Sequence, residues 1–166
     1  MMQVDSDISD EWDDRTDWAA LADRSVRSAV AHSSHASLAG RDVEVSVKLT
    51  SDEEVRALNS AWRGKDRPTN VLSFPMASAD ELEQAHLLGD IVLARGVCAA
   101  EAAARHVPME THAAHLVVHG TLHLLGYDHE TGEDEAEAME EVERRALAAI
   151  GIADPYQVTE VQSLNG

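Results

Sequence analysis

Pro108-Met-Glu-Thr-His-Ala-Ala-His-Leu-Val-Val-His-Gly-Thr-Leu-His-Leu-Leu-Gly-Tyr-Asp-His129 is the stretch from which the rest of this chain can be read. Proline suits the first turn of a helix, where its missing N–H costs nothing, and Leu116, Val117 and Leu125 predict a helix from Pro108 to about Leu125. His119 and His123 stand four residues apart on that helix, so their imidazoles share a face and can reach one centre. Gly126 ends the helix in the left-handed conformation and turns the chain back, which brings His129 towards the same centre. Three imidazoles leave one position of a tetrahedral metal open, as catalytic zinc sites do, whereas closed structural sites use four protein ligands.

A blander origin for the pattern is a stripe of core or contact histidines, since His112, His115, His119 and His123 recur at spacings of three and four. That origin leaves the glycine turn and the third histidine without a reason. For His115, as for His112, packing or hydrogen-bonded support of a ligand imidazole fits better than ligation. Asp128 can act as a base or can hydrogen-bond a ligand imidazole, and the second use is favoured. The spacing of the histidines and glycine matches the metzincin signature H-E-x-x-H-x-x-G-x-x-H, but Gly120 stands where that signature has its glutamate base. The metal cage is protease-like and the protease's base is missing.

Outward from this motif the chain alternates helical and extended patterns. Leu21, Val26, Ala29 and Val30 predict a helix from Trp18 to about His35, and Val43, Val45, Val47 and Leu49 alternate with polar residues as a half-buried strand does. Thr50 or Ser51, followed by Asp52, Glu53 and Glu54, reads as the cap and acidic first turn of a helix to about Trp62. A basic, turn-rich loop from Arg63 to Asn70 leads into the short apolar run Val71 to Phe74, a strand. Residues 76–88 read as a surface connection, Gly89 to Leu93 as another strand, and Ala94 to Arg105 as an alanine-rich helix. After the motif, Thr131 or Gly132 opens an acidic helix to about Ile150. The expectation is an α+β fold: a single domain with a small mixed sheet flanked by helices, and a metzincin-like three-histidine motif on a helix and the following turn. Residues 1–16 are expected as an acidic flexible tail, 17–156 as the domain, and 157–166 as a polar C-terminal tail.

The 166 residues suffice for one buried core, and 44% are apolar. The formal charge of −18 opposes polyanion binding, yet seven acids lie in residues 5–17 and eight in 130–143, nearly half of the 31 in the chain. The remaining body is mildly acidic and has room for a local basic surface. A single cysteine, Cys98, excludes an intramolecular disulfide and a cysteine-rich zinc site. No basic n-region with an apolar run opens the chain, and no segment has the apolar length of a membrane span, so a cytoplasmic protein without membrane contact is expected.

The histidine motif, together with Leu58-Asn-x-x-Trp-Arg63-Gly-Lys-Asp-Arg-Pro-Thr-Asn70-Val-Leu-Ser-Phe-Pro75 and Leu88-Gly-Asp-Ile-Val, closely resembles the bacterial YbeY family of metal-dependent endoribonucleases over about residues 40–156. The resemblance implies a single-domain α+β protein with one zinc ion per chain on His119, His123 and His129. It also implies a role in ribosomal RNA maturation, notably at the 3′ end of the small-subunit 16S RNA, and in ribosome quality control. Its partners would be precursor RNA and the small subunit or its proteins, with no DNA. The family's invariant arginine falls on Arg63, whose planar guanidinium suits the charge that builds on a scissile phosphate. Lys65 and Arg67 extend a phosphate-binding track, and Asn70 either contacts RNA or caps the turn into the next strand. The acidic helix after the motif is most simply a solvated face. Two other classes compete: a non-catalytic, zinc-stabilised ribosome-associated factor, and a metalloprotease, which Gly120 and the basic loop oppose.

Overall fold

The computed structural model describes residues 1–128 and 132–156, apart from the side chain of Ala79, so His129 and the expected tail 157–166 lie outside the described residues. In chain order its elements are β1 (Gln3–Ile8), α1 (Trp18–His32), β2 (Glu44–Thr50), α2 (Asp52–Arg63), β3 (Val71–Pro75), β4 (Leu87–Ala94), α3 (Arg95–Arg105), α4 (Met109–Leu124) and α5 (Glu133–Ala149). Short 3-10 turns occupy Ala36–Gly40 and Ala79–Gln84. The sheet runs β1-β2-β4-β3, with β1, β2 and β4 parallel and β3 antiparallel to β4. This is the small mixed sheet expected of the α+β chain.

Local chemistry explains most boundaries. The alternation in β2 buries Val45, Val47 and Leu49 on one face and leaves Glu44, Ser46 and Lys48 half-buried on the other. In β4 the run Ile91-Val92-Leu93-Ala94 is buried throughout, as befits a strand covered on both faces. Asp17 and Ser51 cap α1 and α2 by accepting from the N–H groups of Ala20 and Glu54 at 3.0 and 3.1 Å. Gly64, at φ 70°, ends α2 in the left-handed conformation that a side chain resists.

Helix α4 is buried nearly all the way round, between the sheet and α1, and α5 packs across α1 and α4. Gly120 makes this approach possible. A Cβ there would lie 2.9 Å from Ile91 Cγ2 and 3.1 Å from Ser73 Oγ, and the Ser73 hydroxyl donates to the Gly120 carbonyl at 3.2 Å. The glycine in the place of a protease glutamate is therefore the point where the histidine helix rests on the sheet. An acid at that position has no room.

The acidic start corrects the expectation of a flexible tail for residues 1–16. Gln3–Ile8 form an edge strand along β2, and Met2 and Trp12 are only 2% and 3% exposed. Trp12 packs edge-on against Trp18, with centroids 4.9 Å apart, and donates its indole N–H to the Thr50 carbonyl at 3.1 Å. Asp5 and Asp7 stay in water on the strand while Val4 and Ile8 turn towards the core, so the charge that argued for disorder costs little. Residues 76–88 are likewise anchored, through the fully buried Leu82.

Candidate active site

Helix α4 carries His119 and His123 to the floor of an open cleft of about 630 Å³. Their rings cross at 82° and their Nε2 atoms face each other at 3.0 Å. The far nitrogen of each ring is engaged. His119 Nδ1 donates to Glu143 Oε1 at 2.7 Å, and His123 Nδ1 donates to the Tyr127 carbonyl at 3.0 Å. A proton held at Nδ1 in a neutral imidazole leaves the lone pair on Nε2, so both rings present acceptors to the same point. Two such lone pairs at this distance repel unless they share a proton or a cation. Ligands about 2.05 Å from a tetrahedral zinc lie roughly 3.3 Å apart, so the pair fits two corners of such a site with a small adjustment.

The turn expected at Gly126 is present and does two things. Gly126, at φ 94°, donates to the His123 carbonyl at 3.0 Å, and Tyr127 N donates to the Leu122 carbonyl at the same distance, which closes the helix end. The same reversal points the Tyr127 carbonyl at His123 Nδ1, and Asp128 then lines the cleft. His129, the third expected ligand, follows Asp128 but lies outside the described residues. Among the described residues no group of three or more His, Cys, Asp or Glu side chains closes a metal site.

Glu143 is the component that sequence reasoning missed. It belongs to the acidic helix read as a solvated face, yet it is 0% exposed, on the inward stripe with Met139, Ala146 and Leu147. Its carboxylate also accepts from His115 Nε2 at 3.0 Å and from the Tyr156 hydroxyl. Burial would push its pKa up, but the bonds from His115 and His119 outweigh burial and hold it down at about 2. Burial, reinforced by the Glu143 charge, pushes the Tyr156 phenol upward, so it stays a donor. The signal for Glu143 was its spacing of four from Met139 and from Leu147.

The expected support residues divide accordingly. His115 contacts the carboxylate that holds His119, whereas His112 donates to Glu101 at 2.8 Å. Burial lowers the pKa of His112 despite the pull of Glu101.

The rest of the cleft lining comes from the end of α2, Asn70 and β3. Arg63, the last residue of α2, is exposed at its rim. The loop behind it is pinned by Asn59, 2% exposed, whose side-chain amide donates to the Arg67 carbonyl at 2.9 Å. Asp66 is drawn into a two-bond pair with Arg56, at 2.8 and 3.2 Å, and does not face Arg63 across the loop as a counter-ion. Asn70 lines the cleft, but its amide is spent on structure: Nδ2 donates to Glu101 at 3.0 Å and Oδ1 accepts from Val71 N at 2.7 Å. Of the two readings of Asn70, the geometry favours the cap into β3. Lys65 and Arg67 are exposed on the loop, outside the lining of the cleft.

A mixed sheet crossed by a histidine-bearing helix, with an arginine lining the same cleft, defines a small α+β protein with a polar candidate site. Within that class, residues 7–151 match the profile of the family described as endoribonuclease YbeY, and the chain belongs to this family. It is 53% identical to the endoribonuclease YbeY of Rhizorhabdus wittichii, with 96% of this chain and 99% of the relative covered. It is equally identical to that of Novosphingobium aromaticivorans, over 93% of this chain and 96% of the relative. Among solved structures it resembles the solution structure of TM1509 from Thermotoga maritima, with a TM-score of 0.57 and 25% identity over 90% of this chain and 91% of that one.

Proposed function

We propose that this chain is a zinc-dependent endoribonuclease, directed at single-stranded RNA, that acts in the cytoplasm on ribosomal RNA, at the 3′ end of the 16S molecule, and in ribosome quality control. Membership of the YbeY family supports cleavage of RNA. The observation that carries the metal dependence is the 3.0 Å approach of the two Nε2 atoms, each ring held by a partner on its Nδ1. His119 and His123, with His129, would hold one zinc ion per chain. When bound, such an ion brings the pKa of a water from about 15.7 towards roughly 7 and offsets charge on the phosphate.

The chain's own residues supply the rest. Arg63 lines the same cleft as the histidines, and there its guanidinium would bind two oxygens of one phosphodiester and orient it in line for attack. As negative charge builds on those oxygens, Arg63 stabilises the transition state more than the ground state. Asp128 lines the cleft and would orient a ligand imidazole, the use favoured over that of a base. Lys65 and Arg67 guide the strand as it leaves the cleft. The small ribosomal subunit is the expected partner, since it carries the RNA to be cut.

A metalloprotease is opposed by the packing of Gly120 against Ile91 and Ser73, which leaves the site without that class's base. The test is cleavage of a small-subunit RNA precursor by purified protein, by metal-stripped and zinc-restored samples, and by Arg63→Ala. Loss on stripping, recovery with zinc and a fall of about 10²-fold or more in kcat for the variant are expected. A cyclic phosphate on the products would assign attack to the ribose 2′-hydroxyl rather than to water. A folded, zinc-loaded protein that leaves free RNA and assembled subunits uncut would overturn the reading in favour of a non-catalytic ribosome factor.

A further inference from the structure

Among the described residues Glu143 is the one carboxylate with no exposed surface, and burying a charge is costly unless donors surround it. Three converge on it from two directions. Oε1 accepts from His119 Nδ1 at 2.7 Å, while Oε2 accepts from His115 Nε2 at 3.0 Å and from the Tyr156 hydroxyl. Tyr156 arrives from the segment beyond α5 and is itself held there. Its backbone N–H donates to Asp154 at 2.9 Å, the Arg144 guanidinium lies 5.6 Å from its ring centroid, and Arg144 pairs with Asp154 at 3.2 Å. One end of this network is thus His119, and the other is the segment that follows α5.

We propose that Glu143 is a positioning residue for His119 and that Tyr156 is its latch, so that the segment Asp154–Tyr156 completes the metal site from behind. The inference rests on the reading of His119 and His123 as zinc ligands. Glu143 fixes the proton of His119 on Nδ1 and sets the ring plane, which keeps Nε2 directed at its counterpart on His123. Carboxylates in this position raise the basicity of the ligand and fix its tautomer, and their loss typically weakens metal binding by about 10- to 100-fold. Without the Tyr156 hydroxyl, Oε2 keeps His115 alone as donor, and the carboxylate can rotate away from the geometry that His119 needs.

The experiment is zinc affinity by competition with a chromogenic chelator, for the wild type, His123→Ala, Glu143→Gln, Tyr156→Phe and the Glu143→Gln/Tyr156→Phe double variant. Metal-free thermal melts show that each variant folds. Glu143→Gln is expected to bind zinc roughly 10- to 100-fold more weakly. Tyr156→Phe is expected to lose a smaller, few-fold factor with its metal-free melt nearly unchanged, and the double variant should bind no worse than Glu143→Gln alone, because the two act as one unit. Cobalt(II) in place of zinc should show a shifted visible spectrum in Tyr156→Phe. If His123→Ala binds zinc like the wild type, the reading of the ligands fails. If His123→Ala loses zinc while Glu143→Gln and Tyr156→Phe retain full affinity and an unshifted cobalt spectrum, the ligand reading stands and this proposal is overturned. Additive losses in the double variant would equally remove the latch. Should Glu143→Gln not fold, Tyr156→Phe alone decides: unchanged affinity and spectrum reject the latch.

Discussion

Two residues that do not line the cleft, Gly120 and Cys98, have consequences that follow from their surroundings alone. For Gly120, alanine offers about 1 kcal/mol of helix propensity, but its Cβ would press on the stiff, β-branched Ile91 at 2.9 Å and on Ser73 at 3.1 Å. Overpacking of a tight contact costs roughly 1–3 kcal/mol, so Gly120→Ala should be destabilised by a net ~1 kcal/mol in urea unfolding. A stabilised variant would mean that α4 rides higher on the sheet. Cys98 is fully buried, and desolvation, with the Glu101 charge, raises its thiol pKa to about 12. Native protein at pH 8 should therefore react with iodoacetamide orders of magnitude more slowly than unfolded protein. Because the folded value lies above the ordinary 9.0, the contribution of Cys98 to stability is complete below pH 9 and is lost as pH rises towards about 12. Rapid alkylation of folded protein would contradict this. At this scale the sequence is legible where spacing encodes geometry. The four-residue step from His119 to His123 and the glycine after the helix fall where they were expected, whereas Arg63, read as the first residue of the basic loop, is the last residue of α2. Glu143 was obscured because it is one of eight acids in 130–143, and only its position relative to Met139 and Leu147 sets it apart. Tyr156 carries no local signal, since its partner lies thirteen residues earlier on another element.

At the scale of elements, helices with chemical punctuation were readable to within a few residues. Ser51, with its three following acids, marks the start of α2 through a side-chain hydrogen bond, and Pro108 marks the start of α4 through its fixed φ and its missing N–H. Strand β1 had no such mark. Its composition is acidic and its pairing partner is about forty residues away, so the stabilising contact is non-local and only composition remained to be read. The docked start predicts an outcome opposite to that of a flexible tail. Deleting residues 1–13 should unpair an edge of β2 and remove Trp12 from beside Trp18, and the product should be insoluble or melt well below the full chain. The milder Trp12→Ala keeps the strand but loses a buried ring and its bond to the Thr50 carbonyl, for about 3–5 kcal/mol in chemical denaturation. A truncated protein that melts with the full chain would restore the tail.

For the whole molecule the governing fact is a charge of −18 on a protein proposed to bind a polyanion. Fold and charge are reconciled by segregation. The acids crowd the segment from β1 to the start of α1 and the N-terminal part of α5, whereas Arg63, Lys65 and Arg67 sit together at the end of α2 and in the loop after it. That arrangement allows few phosphate contacts and makes their number testable. Each phosphate of single-stranded nucleic acid neutralised by the protein contributes about −0.7 to the slope of log Kobs against log salt. Three contacts therefore set a slope no steeper than about −2. Anisotropy of a labelled single-stranded RNA oligomer, titrated at several salt concentrations, measures it. Arg67→Ala should flatten the slope by about 0.7 and weaken binding similarly for unrelated sequences, because a phosphate contact carries no base information. A slope steeper than about −4 would require a second basic track away from the cleft. An Arg67→Ala slope identical to the wild type would remove Arg67 from the track and leave phosphate recognition to Arg63 and Lys65, with a wild-type slope no steeper than about −1.4 for those two contacts.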